Sequence, residues 1–405
     1  MLTRVGVPVE SSTGHSVSDA APSTLICFSH LRWNFVFQRP QHLMTRFARE
    51  MSVTYWEEPV DIDAGQSAFL QVAEADDSSG VRIAVPHLPH GMPDDAREAT
   101  LERLLDAHLA SVRGPLIAWY YTPMMLPFSR HIDADVTVFD AMDELSKFKF
   151  APTHLLELEQ EVIDRADIVF TGGSSLYEAK KNRHPSVHCF PSSVDRAHFA
   201  KARASLFDPA DQEDLPHPRL GFYGVIDERF DTELLGRIAE LRPNWHFVMV
   251  GPVVKISQDD LPRRPNIHYL GGKTYAQLPA YLSGWDVALM PFAMNESTQF
   301  ISPTKTPEYL AGGKPVVTTP VKDVVRHYGQ LEGVKIASTA QEFVAACEQA
   351  LKLGKDLESE WLAEADLMLS ASSWDITQAR MAALVGDILA VRVLGSSQAL
   401  LVAAE

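Results

Sequence analysis

Short apolar runs alternate with amphipathic stretches along most of this chain. The run at 23–29 (STLICFS) leans toward β-structure and stops at a polar cluster, 30–34. The following stretch, 40–51 (PQHLMTRFAREM), places Pro40 in a first helical turn and spaces Leu43, Phe47 and Met51 four residues apart, one buried stripe. Together these predict a strand, a loop and a helix. Further runs at 53–56, 81–85, 116–121, 136–139 and 168–171 predict strands, with helical patterns at 95–112 and 153–166 between several of them. Such alternation implies a mainly parallel sheet covered on both faces.

A second alternation begins near residue 219. Strands are expected at 220–223, 245–250, 267–270, 287–290 and 316–319, and helices at 231–241, 275–282 and 304–311. Between the two series, 204–218 (ASLFDPADQEDLPHP) is acidic, Pro-rich and without apolar periodicity, the composition of an exposed link. The expected layout is a flexible tail at 1–22, an acceptor-side Rossmann-like domain at 23–203, the linker 204–218 and a second Rossmann-like domain at 219–372. A helix at 373–395 is expected to pack back on the first domain, with a frayed Ala-rich end.

Composition narrows the function. A length of 405 residues is about 2.7 times a ~150-residue domain, and 46% hydrophobic with 22% charged residues supports large cores and excludes extensive disorder. The formal charge of −17 opposes the broad basic face that nucleic acid requires, so no nucleic-acid partner is expected and an anionic ligand must be met by local Lys and Arg. Cys27, Cys189 and Cys347 lie far apart with no C-x-x-C pair, which fits a reducing cytoplasm and neither a disulfide framework nor a thiolate zinc site. The first 22 residues lack the long apolar core of a signal peptide, and no stretch approaches the ~18 apolar residues of a membrane span. A cytoplasmic location is the expectation.

In open parallel sheets, ligands settle beyond the carboxyl ends of the strands, where helix amino termini present free N–H groups. The clearest local signal there is 302–320 (SPTKTPEYLAGGKPVVTTP). Ser302 suits a helix cap, Pro303 its first turn and Gly312 with Gly313 its end, before PVVTT returns as a buried strand. Lys305 adds a compact positive charge for a phosphate, and Glu308, one turn on, can accept two hydrogen bonds from a ribose diol. Taken alone, the segment also reads as an ordinary surface helix.

Residues 303–319 resemble the P-x-K-x-x-E-Y-x-A-x-G-x-P-V-V signature of family 4-type glycosyltransferases with the GT-B fold. Residues 191–199 (PSSVDRAHF) are similar to the family's P-N-G-V-D-x-x-x-F, and 266–271 (NIHYLG) with 286–292 (DVALMPF) to its N-V-x-F-x-G and D-V-x-x-x-P. The segments 30–43 (HLRWNFVFQRPQHL), 139–148 (FDAMDELSKF) and 221–231 (GFYGVIDERFD) resemble a bacterial subgroup associated with exopolysaccharide and teichuronic acid synthesis. These motifs run in the expected order over roughly residues 24–390.

The resemblance implies an α/β protein of GT-B fold, two doubly wound domains facing across a cleft. It implies a hexosyltransferase that moves sugar from a UDP- or GDP-sugar to a carbohydrate or lipid-linked acceptor, with no cofactor and no metal. By position, Glu308 is the ribose-binding carboxylate. Lys305 and the backbone of Ser302 and Thr304 lie by the donor diphosphate, with Arg229 as a second phosphate ligand beside the turn at Gly224; an interdomain salt bridge is the alternative role for Arg229. Family members usually carry another Glu eight residues before the ribose carboxylate, and this chain has Phe300 there. Donor-sugar contacts are therefore expected from Asn295, Glu296 and Thr298.

Candidate bases for the acceptor hydroxyl are Asp140, Asp143 and His30, in loops of the first domain. Loop hydrogen bonding is the alternative for Asp140, and a buried polar role for His30. Arg32, Trp33, Gln38 and Arg39 suit a sugar or an anionic acceptor. The acidic pairs at 61–63 and 133–135 read as solvated rather than metal-binding, and GGKT at 271–274 lacks the upstream glycine of a phosphate loop. The aromatic and Met-rich stretches 120–128 and 147–152 suit either local packing or contact with a lipid-linked acceptor at the inner membrane surface. A GT-B epimerase or a non-catalytic sugar-nucleotide binder would share much of this pattern.

Overall fold

The computed structural model describes residues 22–76, 78–204, 206–354 and 359–403, with side chains described as far as residue 392. Of the tail expected at 1–22, all but Pro22 lies outside the described residues. Two sheets organise the chain. The first contains β1 (Thr24–Phe28), β2 (Ser52–Trp56), β3 (Val60–Ile62), β4 (Phe69–Glu74), β5 (Arg82–Pro89), β6 (Leu116–Tyr120), β7 (Val136–Ala141), β8 (Ile168–Thr171) and β9 (Val187–Cys189). Their order is β3-β5-β2-β1-β6-β7-β8-β9, parallel throughout, with β4 antiparallel on β5. The second contains β10 (Arg219–Tyr223), β11 (His246–Val250), β12 (Ile267–Gly271), β13 (Val287–Met290), β14 (Val316–Thr318) and β15 (Val334–Ile336). It is ordered β12-β11-β10-β13-β14-β15, again parallel.

Both sheets bury both faces. Along β1, Leu25 and Cys27 enter one core while Ile26 and Phe28 enter the other, because successive strand side chains point to opposite sides. In β11, Val248 and Val250 face one core and Phe247 and Met249 the other. Helices seal these faces, as the long apolar runs require. The edge strands β3 and β4 were not foreseen. Phe69 and Val72 of β4 are exposed, so that strand has no buried face to generate a pattern.

The connection between the domains differs from expectation. After β9 the chain crosses near residues 191–194, and Val194, Phe199 and Ala202 are already buried in the second domain's core. The acidic stretch is exposed along most of its length, but it is held on that domain as a strap and does not link the two. Within it, the fully buried Gln212 side chain donates to Asp208 at 2.9 Å and to the Tyr281 carbonyl at 3.1 Å, and accepts from Trp285 Nε1 at 2.9 Å. Asp208 pairs with Arg219 at 2.6 Å. Polar composition hid this packing, since the partners lie some seventy residues away.

The chain crosses back before the helix Trp374–Ala403. Trp374, Met381 and Val385 are buried in the first domain's core, and Trp374 stacks on His42 with ring centroids 4.6 Å apart. Asp375 pairs with both Arg46 and Arg49. The stretch 120–128 is core too: Tyr120, Tyr121, Met125, Leu126 and Phe128 are all buried, which removes it from any membrane-facing role.

One buried ion pair ties the first domain's loops together. Arg39, at the start of the helix Arg39–Phe47, donates through Nε and Nη2 to Asp140 in β7 at 2.8–3.1 Å, and through Nη1 to the Phe190 carbonyl at 2.8 Å. The side chains are 3% and 0% exposed. Arg39→Met, which strands the carboxylate, is expected to cost about 3–5 kcal/mol in urea unfolding, and Arg39→Met/Asp140→Leu to recover much of the loss. A single variant as stable as the parent would contradict this reading.

Candidate active site

The carboxyl ends of the two sheets enclose a cleft of about 760 Å³. The first domain contributes residues 33–39, Met142, Asp143, Gly172 and Ser192, and the second contributes Tyr223, Gly224, Arg229, Gly251, Tyr275, Lys305 and Glu308 among others. Two glycines set the second domain's wall. Gly224 and Gly251 have φ of +138° and +146°, and a Cβ on Gly251 would collide with the Gly224 carbonyl. A Cβ on Gly224 would lie 2.7 Å from Lys305 Nζ. Only glycine lets these two turns and the lysine share this space.

Lys305 opens the helix Lys305–Ala311, and Glu308 follows one turn later. The helix begins after Ser302: Thr304 is its N-cap, with no side-chain capping bond. Ser302 instead accepts, through its carbonyl, a 2.6 Å bond from Ser192 across the cleft. Glu308 is only 6% exposed, and its Oε2 accepts from Tyr223 Oη at 2.9 Å. Burial pushes the Glu308 pKa up, partly opposed by Lys305 and Tyr223. Burial also lowers the Lys305 pKa, opposed chiefly by Glu308. The ammonium lies 5.6 Å from the Phe222 ring and 5.8 Å from the Phe292 ring. An anionic ligand at this wall would relieve the strain on the buried cation.

Arg229 is clasped by Asp227. Its Nε donates to both carboxylate oxygens at 3.0 and 3.1 Å, and Nη2 to Oδ2 at 2.6 Å, leaving Nη1 outside the clasp. Burial works against the charge, yet Asp227 holds its pKa above the ordinary value. Phe148, from the first domain, lies 5.2 Å from this guanidinium and 5.3 Å from Lys255 Nζ. One aromatic ring of the first domain thus faces two cations of the second.

The loop 140–148 divides its acids among different tasks. Asp140 is sealed against Arg39 and does not line the cleft, so its assignment as a base is corrected: a fully buried, bidentate-paired carboxylate cannot reach an acceptor. Asp143 does line the cleft. Burial raises its pKa, opposed by Arg229 and reinforced by Asp227. Glu144 pairs at 2.9 Å with Lys180, which also holds Glu159 at 2.9 Å and is 1% exposed. Lys147 reaches Glu296 at 3.3 Å, so these two residues form a bridge between domains.

Other expected residues are placed differently. Asn295 and Thr298 lie outside the cleft lining. The Asn295 side chain caps the turn Glu296–Thr298 and donates to the Glu228 carbonyl at 3.0 Å, while Thr298 is fully buried and bonds the Ala293 carbonyl. They shape the loop's backbone and contribute nothing to the cavity wall. Arg32 is held by Glu57 at 2.9 Å and by the Glu58 carbonyl at 2.6 Å. His30 also lies outside the lining, half-buried, with Nδ1 unpartnered. Conversely, Tyr275 and 272–274 do line the cleft, with Tyr275 stacked on Phe37 at 4.7 Å and Lys273 paired with Asp211 at 2.6 Å.

Further contacts join the halves. Asp323, 2% exposed, accepts from Ser175 N at 3.0 Å and Ser175 Oγ at 2.5 Å, satisfying the amino terminus of the helix Ser174–Lys180 from the opposite domain. Ser174 Oγ meets His327 Nε2 at 2.8 Å.

The second domain, over residues 217–353, matches the family described as Glycosyl transferases group 1. A Bacillus subtilis (strain 168) protein, provisionally named teichuronic acid biosynthesis glycosyltransferase TuaH, is 27% identical over 256 residues, 58% of this chain. The match spans 63% of that relative's length. Among solved structures, sucrose-phosphate synthase from Thermosynechococcus elongatus covers 91% of this chain and 100% of its own at 15% identity, with a TM-score of 0.68. The α,α-trehalose-phosphate synthase (UDP-forming) from Burkholderia xenovorans, in complex with glucose-6-phosphate, covers 90% and 100% at 11% identity, with a TM-score of 0.65. These likenesses establish the GT-B fold.

Burial, aided by Lys255, lowers the His30 pKa to about 4. The unfolded chain therefore binds more protons at this site between about pH 4 and 6.5, so its contribution to stability is lost as pH falls through that window. His30→Asn is expected to flatten the acid side of the stability profile, read from urea midpoints between those limits. An unchanged slope would contradict it.

Proposed function

We propose that this chain, whose fold is GT-B and whose second domain is a group 1 glycosyltransferase domain, transfers a hexosyl group from a nucleoside diphosphate sugar, with UDP the first candidate. The acceptor is a hydroxyl of a carbohydrate or lipid-linked saccharide in bacterial surface polysaccharide synthesis, a role supported by the name of the Bacillus relative. One observation carries the reading: Lys305, Arg229 and Glu308 all line the second domain's wall of a single cleft, two cations and a carboxylate, the groups that a diphosphate and a ribose diol require.

In the proposed reaction the acceptor oxygen bonds to the anomeric carbon as the bond from that carbon to the diphosphate oxygen breaks. The diphosphate leaves with the electron pair. Lys305 and Arg229 offset the negative charge growing on it. Glu308 accepts the ribose hydroxyls. Asp143 is a carboxylate on the acceptor side of the cleft, and its raised pKa suits it to receive the hydroxyl proton. Among the described residues no helix is long and apolar enough to cross a membrane.

Glu308→Ala and Arg229→Ala are each expected to weaken UDP binding by about 1–3 kcal/mol in calorimetry, the range for a lost charged hydrogen bond. Wild-type affinity in both would overturn the donor site. Phe148→Leu keeps a large apolar group but removes the ring face, and should weaken UDP binding by about 1 kcal/mol through loss of the contact that steadies Arg229. Phe148→Tyr should bind as the parent does; equal affinity in all three proteins would leave Phe148 without this role.

A further inference from the structure

We infer that the acceptor is an uncharged pyranoside held against an aromatic face, and not a sugar phosphate; this rests on the donor reading above. The first domain's half of the cleft decides it. Its charged lining residues are Arg39, Asp76 and Asp143. Arg39 has spent Nε, Nη1 and Nη2 on Asp140 and the Phe190 carbonyl. Arg32, the other guanidinium of the same loop, is turned to Glu57 and the Glu58 carbonyl. Among the described residues, what this half offers an acceptor is two carboxylates and no uncommitted cation. The cations near Asp143, namely Arg229, Lys255 and Lys305, belong to the second domain, and two of them are assigned to the donor, so a phosphate placed here would compete with the donor for them.

The same loop is well made for a neutral ring. Gln41 donates to the Trp33 carbonyl at 2.9 Å and accepts from Gln38 N at 3.1 Å, while Glu57 accepts from Trp33 N at 2.7 Å, so the backbone is fixed before any ligand arrives. Phe35 is 48% exposed although it lines the cavity, and Phe37 stands beside it, stacked on Tyr275 of the facing domain. Asn34 and Gln38 also line the cavity. Aromatic faces take the C–H face of a pyranose, amides take its hydroxyls, and Asp143 accepts from the one that reacts. Cations nearby serve other contacts: Lys147 reaches Glu296, and Lys255 lies over Phe148.

The test titrates the full chain, saturated with UDP, with methyl hexopyranosides and with the corresponding hexose 6-phosphates, followed by saturation-transfer NMR. At least one glycoside is expected to bind roughly ten-fold more tightly than its phosphate counterpart, the affinity change of a good aromatic contact. Phe35→Ala should lose that preference while its UDP affinity stays at the parent value, and Phe35→Trp should keep it. A hexose 6-phosphate that binds as tightly as its glycoside, binding by none of the glycosides, or an unaltered preference in Phe35→Ala would overturn the inference. The UDP titration separates the two readings: UDP bound with phosphates preferred rejects only the acceptor class, whereas no UDP binding rejects the donor site itself.

Discussion

A guanidinium sealed against a carboxylate underlies the shape of the first domain's side of the cleft. Arg39 enters from the loop after β1, Asp140 from the end of β7, and the Phe190 carbonyl from the start of the crossing into the second domain. Three separate stretches of chain are thereby fixed at one point. Buried ion pairs add little net stability over apolar replacements, but breaking one leaves an uncompensated charge, so the arrangement tolerates few alternatives. The residues on either side of it, Phe35 to Gln38 and Met142 to Asp143, are those that line the cleft.

The opposite wall rests on a different balance. Burial pushes Lys305 and Glu308 toward their neutral forms, and each partly opposes that push on the other. Arg229 keeps its charge through Asp227 and is backed by a ring from the other domain. The cleft is therefore asymmetric: apart from Arg39, which is sealed against Asp140, its cations belong to the second domain, while the first supplies aromatic surface and carboxylates. That asymmetry fits a reaction in which one substrate carries the charge and the other supplies a hydroxyl.

Much of this was legible in the order of residues. The buried strands announce themselves because both faces of each sheet are apolar; the Lys305–Glu308 segment taken alone reads equally as a surface helix, and only its resemblance to a family signature singled it out. Less visible was anything depending on distant partners. Asp140 and Asp143 are alike in sequence, yet Arg39, a hundred residues away, takes one and leaves the other. The acidic stretch 204–218 looked solvated because Trp285 and Arg219, which anchor it, lie outside the window. Phe148 and its neighbours suggested a greasy surface; the ring is instead occupied by two cations, and Phe150, 88% exposed, is the part left in solvent.

The double passage of the chain has a mechanical meaning. Outbound near residue 193 and inbound near residue 372, the polypeptide makes the second domain an insert within the first, and Ser193 Oγ and Ser372 Oγ meet at 2.9 Å where the two passages run side by side. Both covalent passages are thus gathered at one place, while Ser175 with Asp323, Ser174 with His327 and Lys147 with Glu296 hold the halves together elsewhere. Parting the halves would break those side-chain contacts and leave the joint at Ser193 and Ser372 as the tether.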